Sequence, residues 1–595
     1  MSNLRKVVKT RTKYLFILIF VGSLVFLYNL GARDLWEPDE TRYAVVAREM
    51  KETGNWIVPH LNGVLYSEKP PLFFWLVNGS TLLLGDNEFA NRLPSALAGL
   101  MIVLVTFLLG VRVFNLKTGF LSGLVLITGF FLSQLSRWMM IDSLFTLFFL
   151  LSLFFFYHGY KNEERRRVDY LVAGSFIGLG VLTKGPVAFL SIPICLILGC
   201  FEKDVKQFWN RDLLWGVLLS LVLVLVWLIP ACWIGGDDYT RRILIEQSIG
   251  RMTGTLKNSH PHIESLVFYF IRFPAEFLPW TFFLPAAVLL EIRKNEEERS
   301  GFLFLSVWFL FIFIFFCLLK GKKDNYLLPL YPAAAILVGR WLAFFLQSPK
   351  ALRSVRMRLW NPVSLTAVLF LGLWLVYQLS PTAWFPTGLR PHLSVAAWPL
   401  TIAALGGILS LLSLFKKWGP LSLLFLMGAL IITQTYLAVT VPPRLNEWVS
   451  KKPFSRQILT RVAHGDELKI WKFQSTGLLY YTGRAIEQIR RRDRLVEVLS
   501  GPRRVFLIIE EKELSVLNNI ENELLHPLVR AKGGRHMLCL FSNQEVESQE
   551  RAEGDKGTKI KGEPQTLRFV QAMSRIAWRW LFFAAGQEEG QGETK

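Results

Sequence analysis

Three carboxylates and an arginine stand close together just after the first apolar segment, in the run Glu37–Pro38–Asp39–Glu40–Thr41–Arg42. Asp39 falls in the first turn of a predicted helix, where the helix dipole favours an anion, so we expect an ionised carboxylate that can accept a proton or a hydrogen bond. Arg42, three residues on, shares its face of the helix. Glu37 and Glu40 fit the alternative of helix capping and surface ion pairing better than Asp39 does. The run predicts a reaction site at the membrane boundary, centred on Asp39.

Two further motifs combine a carboxylate with a cation. Glu68 and Lys69 directly precede a helix start at Pro70–Pro71, and the free N–H groups of a helix N-terminus bind phosphate. An ordinary charged loop is the alternative there. Asp142 follows Arg137 across a short turn and enters an apolar run, where a carboxylate is costly and usually has a role or a partner.

Lysines interrupt the apolar runs in two other turns. Lys184 lies in one of them, and Lys320 and Lys322 precede Tyr326 in the other. Snorkelling side chains at helix ends are the alternative explanation. Because three separate turns place cations on the same predicted side, we favour a set of cations around an anionic ligand.

Long apolar runs recur along the 595 residues, of which 52% are hydrophobic. Runs of about 20 residues can cross a bilayer core, and we count about thirteen of them, which predicts a polytopic α-helical membrane protein. Their centres are Phe20, Val103, Leu126, Leu150, Ile177, Pro193, Leu223, Ala286, Phe311, Ala335, Leu371, Leu405 and Ala429.

The distribution of charge predicts the orientation. Alternate loops each carry at least two Lys or Arg, which places the N-terminus in the cytoplasm and the C-terminal region outside. The net charge of +21 would indicate nucleic acid for a soluble protein, but in a membrane protein it reflects basic cytoplasmic loops and anionic lipid. We therefore expect membrane lipid, and no nucleic acid, as a partner.

The predicted transmembrane domain covers residues 1–440, with long outside loops at 32–92 and 232–279. Charged residues and β-type runs then become frequent, which predicts a small outside α/β domain over 441–545. The polar composition of 546–595 predicts a disordered tail, in which 567–585 could form an amphipathic helix on a membrane surface.

Local signals predict four elements near these boundaries. One helix begins at Pro38 and ends at Gly54, and a second begins near Pro70–Pro71. The β-type run 504–509 predicts a strand, and the turn at 532–535 predicts a hairpin.

Metal and nucleotide signals are sparse. His260 and His262 lie in the second outside loop, and together with Glu68 they could hold one divalent ion. Solvated loop histidines are the alternative. The chain has no CxxC pair and no GxxxxGK[ST] motif, so we expect neither a zinc–thiolate site nor a nucleotide cofactor.

With these motifs the chain resembles the bacterial 4-amino-4-deoxy-L-arabinose transferase and protein O-mannosyltransferase-like group of glycosyltransferases, which have the C-type membrane fold. The resemblance covers residues 14–440 in the order of the family's motifs. It rests on Glu37–Pro38–Asp39–Glu40–Thr41–Arg42–Tyr43, Asn62–Gly63 with Glu68–Lys69–Pro70–Pro71, Arg137 to Asp142, Thr183–Lys184–Gly185–Pro186, and Lys320–Gly321–Lys322 with Tyr326–Leu327–Leu328–Pro329.

The resemblance implies a sugar donor on polyprenyl phosphate and transfer at the periplasmic face of the bacterial inner membrane. It also implies that Asp39 is the catalytic carboxylate and that Lys69 contacts the lipid phosphate. In the aminoarabinose branch it implies a zinc site, for which Glu68 and His262 are the matching residues. The sequence departs from the family there, since Ser265–Leu266–Val267–Phe268–Tyr269 replaces the family's proline-aromatic-tyrosine run.

The resulting hypothesis is a monomeric glycosyltransferase that transfers the sugar in one displacement, with inversion at the sugar carbon. The acceptor could be lipid A, another glycolipid, or a serine or threonine of a secreted protein. The catalytic candidates are Asp39 and Asp142, and the candidates for substrate and phosphate binding are Arg42, Tyr43, Glu68, Lys69, Arg137, Lys184, Lys320, Lys322 and Tyr326.

Two other classes of protein remain as alternatives. A lipid-linked sugar transporter or flippase would share the buried charges and the many spans, and it should show repeated halves and interrupted helices, neither of which the sequence shows. The other alternative is a structural or sensory protein whose outside C-terminal domain carries the function.

Overall fold

The computed structural model describes most of the chain, namely residues 2–203, 210–250, 264–291, 296–347, 361–379, 390–516 and 524–545. The predicted tail at 546–595, its amphipathic segment 567–585, and both His260 and His262 lie outside the described residues.

Helices make up most of the described chain. In chain order they are α1 (Ser2–Phe26), α2 (Asp39–Thr53), α3 (Leu72–Leu84), α4 (Glu88–Val113), α5 (Leu116–Thr128), α6 (Phe130–Ser136), α7 (Ile141–Lys161), α8 (Arg166–Lys184), α9 (Ser191–Phe201), α10 (Arg211–Arg241), α11 (Phe268–Glu276), α12 (Phe283–Glu291), α13 (Glu296–Leu318), α14 (Tyr331–Gln347), α15 (Pro362–Leu379), α16 (Arg390–Phe415), α17 (Gly419–Val449), α18 (Lys452–Leu459), α19 (Thr476–Thr482) and α20 (Arg492–Leu499).

Eight helices in the described ranges are long and apolar enough to cross a membrane, or nine if the bent pair α5 and α6 forms one span. Each predicted span centre lies within a helix. Four predicted spans do not correspond to any of these nine. They lie in α1 and α8, whose ends are charged, and in α9 and α12, which are short. The prediction of a multi-pass helical membrane protein is confirmed.

The two predicted helices between the first and second spans are both present. Helix α2 follows Pro38 and ends at Gly54, which adopts the left-handed conformation with φ of 70° that glycine allows without strain. Helix α3 begins directly after Pro71. Between them β1 (His60–Leu61) pairs with β2 (Val64–Leu65) in a short antiparallel hairpin.

The C-terminal region contains a five-stranded mixed sheet with the strand order β4-β3-β5-β7-β6. Its strands are β3 (Glu467–Trp471), β4 (Glu487–Ile489), β5 (Val505–Glu510), β6 (His526–Gly533) and β7 (His536–Ser542).

The predicted strand and hairpin of this sheet are confirmed. Strand β5 is buried along its whole length, as its continuous apolar run predicts. Strands β6 and β7 form the antiparallel hairpin, and its turn contains Gly534 with φ of 68°. Helix α17 continues past the predicted domain boundary at 441, through Pro442 and Pro443, to Val449.

The C-terminal sheet domain lies directly against α2 and the loop that precedes it. The backbone N–H of Leu35 donates to the hydroxyl of Tyr481 at 2.6 Å. The amide of Asn62, in the β1–β2 turn, donates to the carbonyl of Ile486 and accepts from its N–H. These contacts place the motif around Asp39 between the helical bundle and the sheet domain.

Candidate active site

The three carboxylates of the opening motif have three different environments. Glu40 is fully buried. Its two oxygens accept hydrogen bonds from the guanidinium groups of Arg33 and Arg92 at 2.6–3.1 Å, and from the backbone N–H groups of Trp36 and Met139 at 3.0 Å. Burial opposes ionisation, but the two guanidinium charges lower the pKa of Glu40 to about 2. Glu40 is therefore a buried structural anion that ties the loop before α2 to α4.

Glu37 contacts the C-terminal domain instead. Its Oε1 accepts hydrogen bonds from the hydroxyl of Ser475 and from the backbone N–H of Gly477, both at 2.6 Å. These donors lie at the N-terminus of α19, where an anion is favourable. Glu37 and Glu40 thus have structural roles, although the ion pairs of Glu40 are buried and not at the surface as the sequence suggested.

Asp39 differs from both because part of its carboxylate is accessible: 21% of its side chain is exposed. It accepts a hydrogen bond from Arg42. Burial alone would raise its pKa, but the charges of Arg42, Lys323 and Lys69 outweigh that effect and lower the pKa below its ordinary value. Asp39 is therefore an ionised, partly accessible anion surrounded by cations.

Arg42 connects Asp39 to a second carboxylate. Its Nη1 lies 3.6 Å from Oε2 of Glu68, and its guanidinium lies 5.4 Å from the ring centre of Tyr43. Nearly two fifths of the Glu68 side chain is exposed (37%). The structure thus brings together the sequence-predicted residues Asp39, Arg42, Glu68 and Lys69.

A second charged cluster lies at the start of α7. Asp142 is buried and accepts hydrogen bonds from Nζ of Lys184 at 2.5 Å and from the amide of Asn325 at 2.9 Å. The ammonium of Lys184 also lies 5.2 Å from the ring centre of Phe145 and 5.0 Å from that of Tyr326. Asp142 therefore holds Lys184 in place next to the aromatic rings of Phe145 and Tyr326.

Tyr43 is affected by the charges of both clusters. Burial raises its pKa, and the negative charges of Asp39 and Asp142 add to that effect. The two clusters therefore both act electrostatically on this one phenol.

The structure does not bring Arg137 into this site. Its Nη1 donates to the backbone carbonyls of Val25 and Tyr28, both at 2.9 Å. These carbonyls lie at the C-terminal end of α1, where helix carbonyls lack partners within the helix. Arg137 is largely buried and stabilises a helix end.

Lys322 has a similar role. Its Nζ donates to the carbonyls of Glu264 and Leu319, at 3.0 and 2.5 Å. Lys320 is exposed. The lysine of this turn that acts electrostatically on Asp39 is Lys323.

The metal prediction is not tested by this structure. No group of three or more His, Cys, Asp or Glu side chains that could hold a metal ion occurs among the described residues. Glu68 lies beside Arg42, and His262 lies outside the described residues. Glu68 offers one carboxylate, and zinc needs several neutral or anionic ligands, of which His262 is the other one that the family resemblance implies.

Sequence reasoning missed several residues of the site. Lys323 belongs to the cation-bearing turn that the sequence singled out, but neither it nor Asn325 of the same turn was among the candidate site residues. Ser475 and Thr476 lie far from the motif in the sequence, since Ser475 is 438 positions from its partner Glu37. No local signal in the sequence marks them.

Comparisons with known proteins agree with the geometry. The family model for dolichyl-phosphate-mannose-protein mannosyltransferases matches residues 11–241, which include α2 and the carboxylate of α7. The resemblance seen in the motifs is confirmed over these residues.

Two curated relatives have the name undecaprenyl phosphate-α-4-amino-4-deoxy-L-arabinose arabinosyl transferase. The one from Enterobacter sp. (strain 638) is 31% identical over 349 residues, which are 57% of this chain and 61% of the relative. The second form from Proteus mirabilis is 32% identical over 332 residues, 55% of this chain and 58% of the relative. The similarity thus covers less than two thirds of the relatives' own length.

The architecture is shared over a longer stretch. The crystal structure of ArnT from Cupriavidus metallidurans bound to undecaprenyl phosphate matches with a TM-score of 0.76, covering 90% of this chain and 99% of that one at 20% sequence identity. The apo form of the same protein gives a TM-score of 0.75. The chain therefore has the C-type membrane fold of that protein, with a small C-terminal α/β domain, and is similar over residues 11–241 to the dolichyl-phosphate-mannose-protein mannosyltransferase family.

Proposed function

We propose that this protein is an integral-membrane glycosyltransferase that transfers a sugar from a polyprenyl-phosphate donor to a lipid acceptor. The observation that carries the proposal is the environment of Asp39. An ionised, partly accessible carboxylate lies among Arg42, Lys69 and Lys323, at the face of the bundle that carries the C-terminal domain. We place that face on the periplasmic side of the bacterial inner membrane, with the N-terminus in the cytoplasm, because the positive-inside pattern requires it.

The charges suit a donor that leaves as a phosphate. Transfer breaks the bond between the anomeric carbon and the phosphate oxygen, and the electron pair goes to the leaving polyprenyl phosphate. Lys69 and Lys323 lie near enough to affect the charge of Asp39, and Lys184 is held by Asp142. Each preorganised charge can contribute about 3 kcal/mol in a site that excludes water.

Asp39 acts on the acceptor. It orients the acceptor hydroxyl and takes its proton while the acceptor oxygen forms the new bond to the anomeric carbon. Because its pKa is lowered, Asp39 is ionised at neutral pH but is a weak base, so the proton moves late in the displacement. If the acceptor is a phosphate, Asp39 only orients it. One displacement inverts the configuration at the sugar carbon.

Asp142 has a different role from the one its intramembrane position first suggested. Its carboxylate is occupied by Lys184 and Asn325, so it holds the cation for the leaving phosphate rather than accepting the acceptor proton. No step of this mechanism uses a metal. Zinc held by Glu68 and His262 remains a proposal from the family resemblance.

The sugar and the acceptor are proposed from the relatives. Those at 31% and 32% identity are named for 4-amino-4-deoxy-L-arabinose on undecaprenyl phosphate, which favours an aminoarabinose-type sugar. The lipid A-like acceptor is proposed from the family resemblance. The matching family model is named for mannosyl transfer to protein, which makes a serine or threonine acceptor the second candidate. The proposed oligomeric state is the monomer of the sequence-based hypothesis.

The test uses purified protein in lipid vesicles. Radiolabelled polyprenyl-phosphate aminoarabinose and polyprenyl-phosphate mannose are each offered with lipid A and with a serine- and threonine-rich peptide. We expect label on lipid A from the aminoarabinose donor, with the opposite anomeric configuration. Label on the peptide alone would support protein O-glycosylation. If labelled lipid crosses the vesicle membrane and no sugar is transferred, the protein is a transporter and the proposed enzyme function is wrong.

A further inference from the structure

The segment around Asp39 is held from both sides by the C-terminal domain. On the N-terminal side, the Glu37 carboxylate accepts the hydrogen bonds from Ser475 and Gly477 described above, and Nζ of Lys451 lies 3.9 Å from its other oxygen. These donors all belong to the C-terminal domain or to the residues that lead into it.

On the C-terminal side, the contact runs through two hydroxyl groups. The hydroxyl oxygens of Thr41 and Thr476 lie 2.6 Å apart, and Thr41 is fully buried. The Thr476 hydroxyl also lies 3.5 Å from the carbonyl of Pro38. Glu37, Pro38 and Thr41 flank Asp39, so α19 fixes the backbone on both sides of the carboxylate.

The close approach at Gly477 shows how tightly the two parts fit. A Cβ atom on this residue would lie 3.0 Å from Oε1 of Glu37 and 2.8 Å from Cγ of Lys451. Both distances are shorter than ordinary carbon contacts, so any larger residue would displace Lys451 and crowd Glu37. Glycine at this position lets the helix N-terminus reach the motif.

The docking extends beyond these residues. Lys452 lies 2.5 Å from a carboxylate oxygen of Glu88 and 3.4 Å from one of Asp34. The hydroxyl of Tyr480 donates to Asp86 at 2.9 Å. Several polar contacts spread over the interface hold the domain in one orientation, because each has its own directional requirement.

We propose that the C-terminal domain forms part of the catalytic unit and that Thr476 and Ser475 are positioning residues for Asp39. The proposal rests on the proposed function, since it concerns the same carboxylate. Neither residue touches the substrates. Their role is to hold the backbone of 37–41 so that the Asp39 carboxylate meets the acceptor at the correct distance and angle, and small displacements of a reacting group cost rate steeply.

The decisive variant is Thr476→Val, which keeps the shape of the side chain and removes its hydroxyl. Losing the bonds to Thr41 and Pro38 should lower kcat roughly tenfold, because the backbone on both sides of Asp39 is then less firmly held. The KM for the polyprenyl-phosphate donor should stay within about twofold, because the cations are untouched. Thr476→Ser keeps the hydroxyl and should restore the rate.

Thr482→Val is the matched control. Thr482 ends the same helix and is buried, whereas Thr476 is half-buried, and the hydroxyl of Thr482 bonds to the carbonyl of Leu478 within the helix at 2.6 Å. We expect wild-type kcat for this variant. If Thr476→Val and Thr482→Val lower kcat equally, or if neither lowers it while the wild type transfers sugar, the positioning role is wrong.

Hydrogen exchange of the full-length protein supplies a readout that does not depend on activity. Backbone amides of residues 39–42 should exchange faster in Thr476→Val than in the wild type or in Thr482→Val. Unchanged exchange in all three proteins would overturn the inference. If the wild type transfers no sugar but exchange rises as expected, the proposed function fails while the docking of the domain on Asp39 stands.

Discussion

Replacing Glu40 with glutamine should destabilise the protein strongly without touching the substrate site. The carboxylate is completely buried and binds Arg33 and Arg92. Its pKa falls from 4.5 to about 2, and at 1.36 kcal/mol per unit this shift corresponds to about 3 kcal/mol. Glutamine would leave two buried guanidinium groups without a counter-charge, and breaking a buried ion pair costs about 3–5 kcal/mol. Both lines of reasoning give a loss of about 3–5 kcal/mol.

The loss should depend on pH in one direction. The pKa of Glu40 is lower in the folded state, so its contribution to the free energy of unfolding is fully present above pH 4.5 and is lost as pH falls towards about 2. The gap in stability between wild type and Glu40→Gln should therefore be largest at neutral pH and shrink in acid.

The assay is thermal and denaturant unfolding of the purified protein in detergent. Glu52→Gln is the control, because Glu52 lies exposed in the same helix α2, and an exposed substitution should change stability by less than about 0.5 kcal/mol. If Glu40→Gln and Glu52→Gln have the same free energy of unfolding at neutral pH, the assignment of Glu40 as a buried structural anion is wrong.

Three further predictions concern the site itself. Lys323→Met should raise the pKa of Asp39, so the acid limb of the kcat/KM profile against pH should move to higher pH. An unchanged profile would show that Lys323 does not act electrostatically on Asp39. Lys184→Met should lower kcat by at least about tenfold, and it should also lower the unfolding temperature because Asp142 stays buried without a counter-charge and keeps only the hydrogen bond from Asn325. Glu68→Gln and His262→Ala should each lower the zinc content of the purified protein measured by atomic absorption, and equal zinc in wild type and both variants would contradict the metal proposal.

The sequence predicted those parts of the fold that local chemistry determines. Proline at the start and glycine after the end of α2 located that helix, because both act through their own backbone preferences. The continuous apolar run of β5 and the glycine-containing turn after β6 were likewise local signals. The span centres also followed from composition, since a bilayer-crossing helix must be apolar along its own length.

The functions of individual charges could not be predicted in this way. Arg137 and Lys322 carry the same charge as the lysines of the site, yet their donors are used by backbone carbonyls. Which carbonyl lies beside a cation depends on how distant helices pack, and nothing in the local sequence records it. The same reason hid Ser475 and Thr476, whose partners lie at the other end of the chain.

The different roles of Glu37, Asp39 and Glu40 became clear only from the sequence and the structure together. Glu40 shares the first helical turn with Asp39, so it was the family resemblance that distinguished Asp39 as the catalytic carboxylate. The structure supplied the reason, because Glu40 is enclosed by guanidinium groups and Glu37 by the N-terminus of α19.

The most direct test of the account is the rate of sugar transfer by Asp39→Asn. The assay measures radiolabelled sugar moving from polyprenyl phosphate to lipid A in vesicles, with the unfolding temperature of each protein measured in parallel. We predict that the variant loses at least about 100-fold in kcat and retains a cooperative unfolding transition, in contrast to Glu40→Gln. Near-normal transfer by a folded Asp39→Asn protein would contradict the assignment of this carboxylate as the catalytic group.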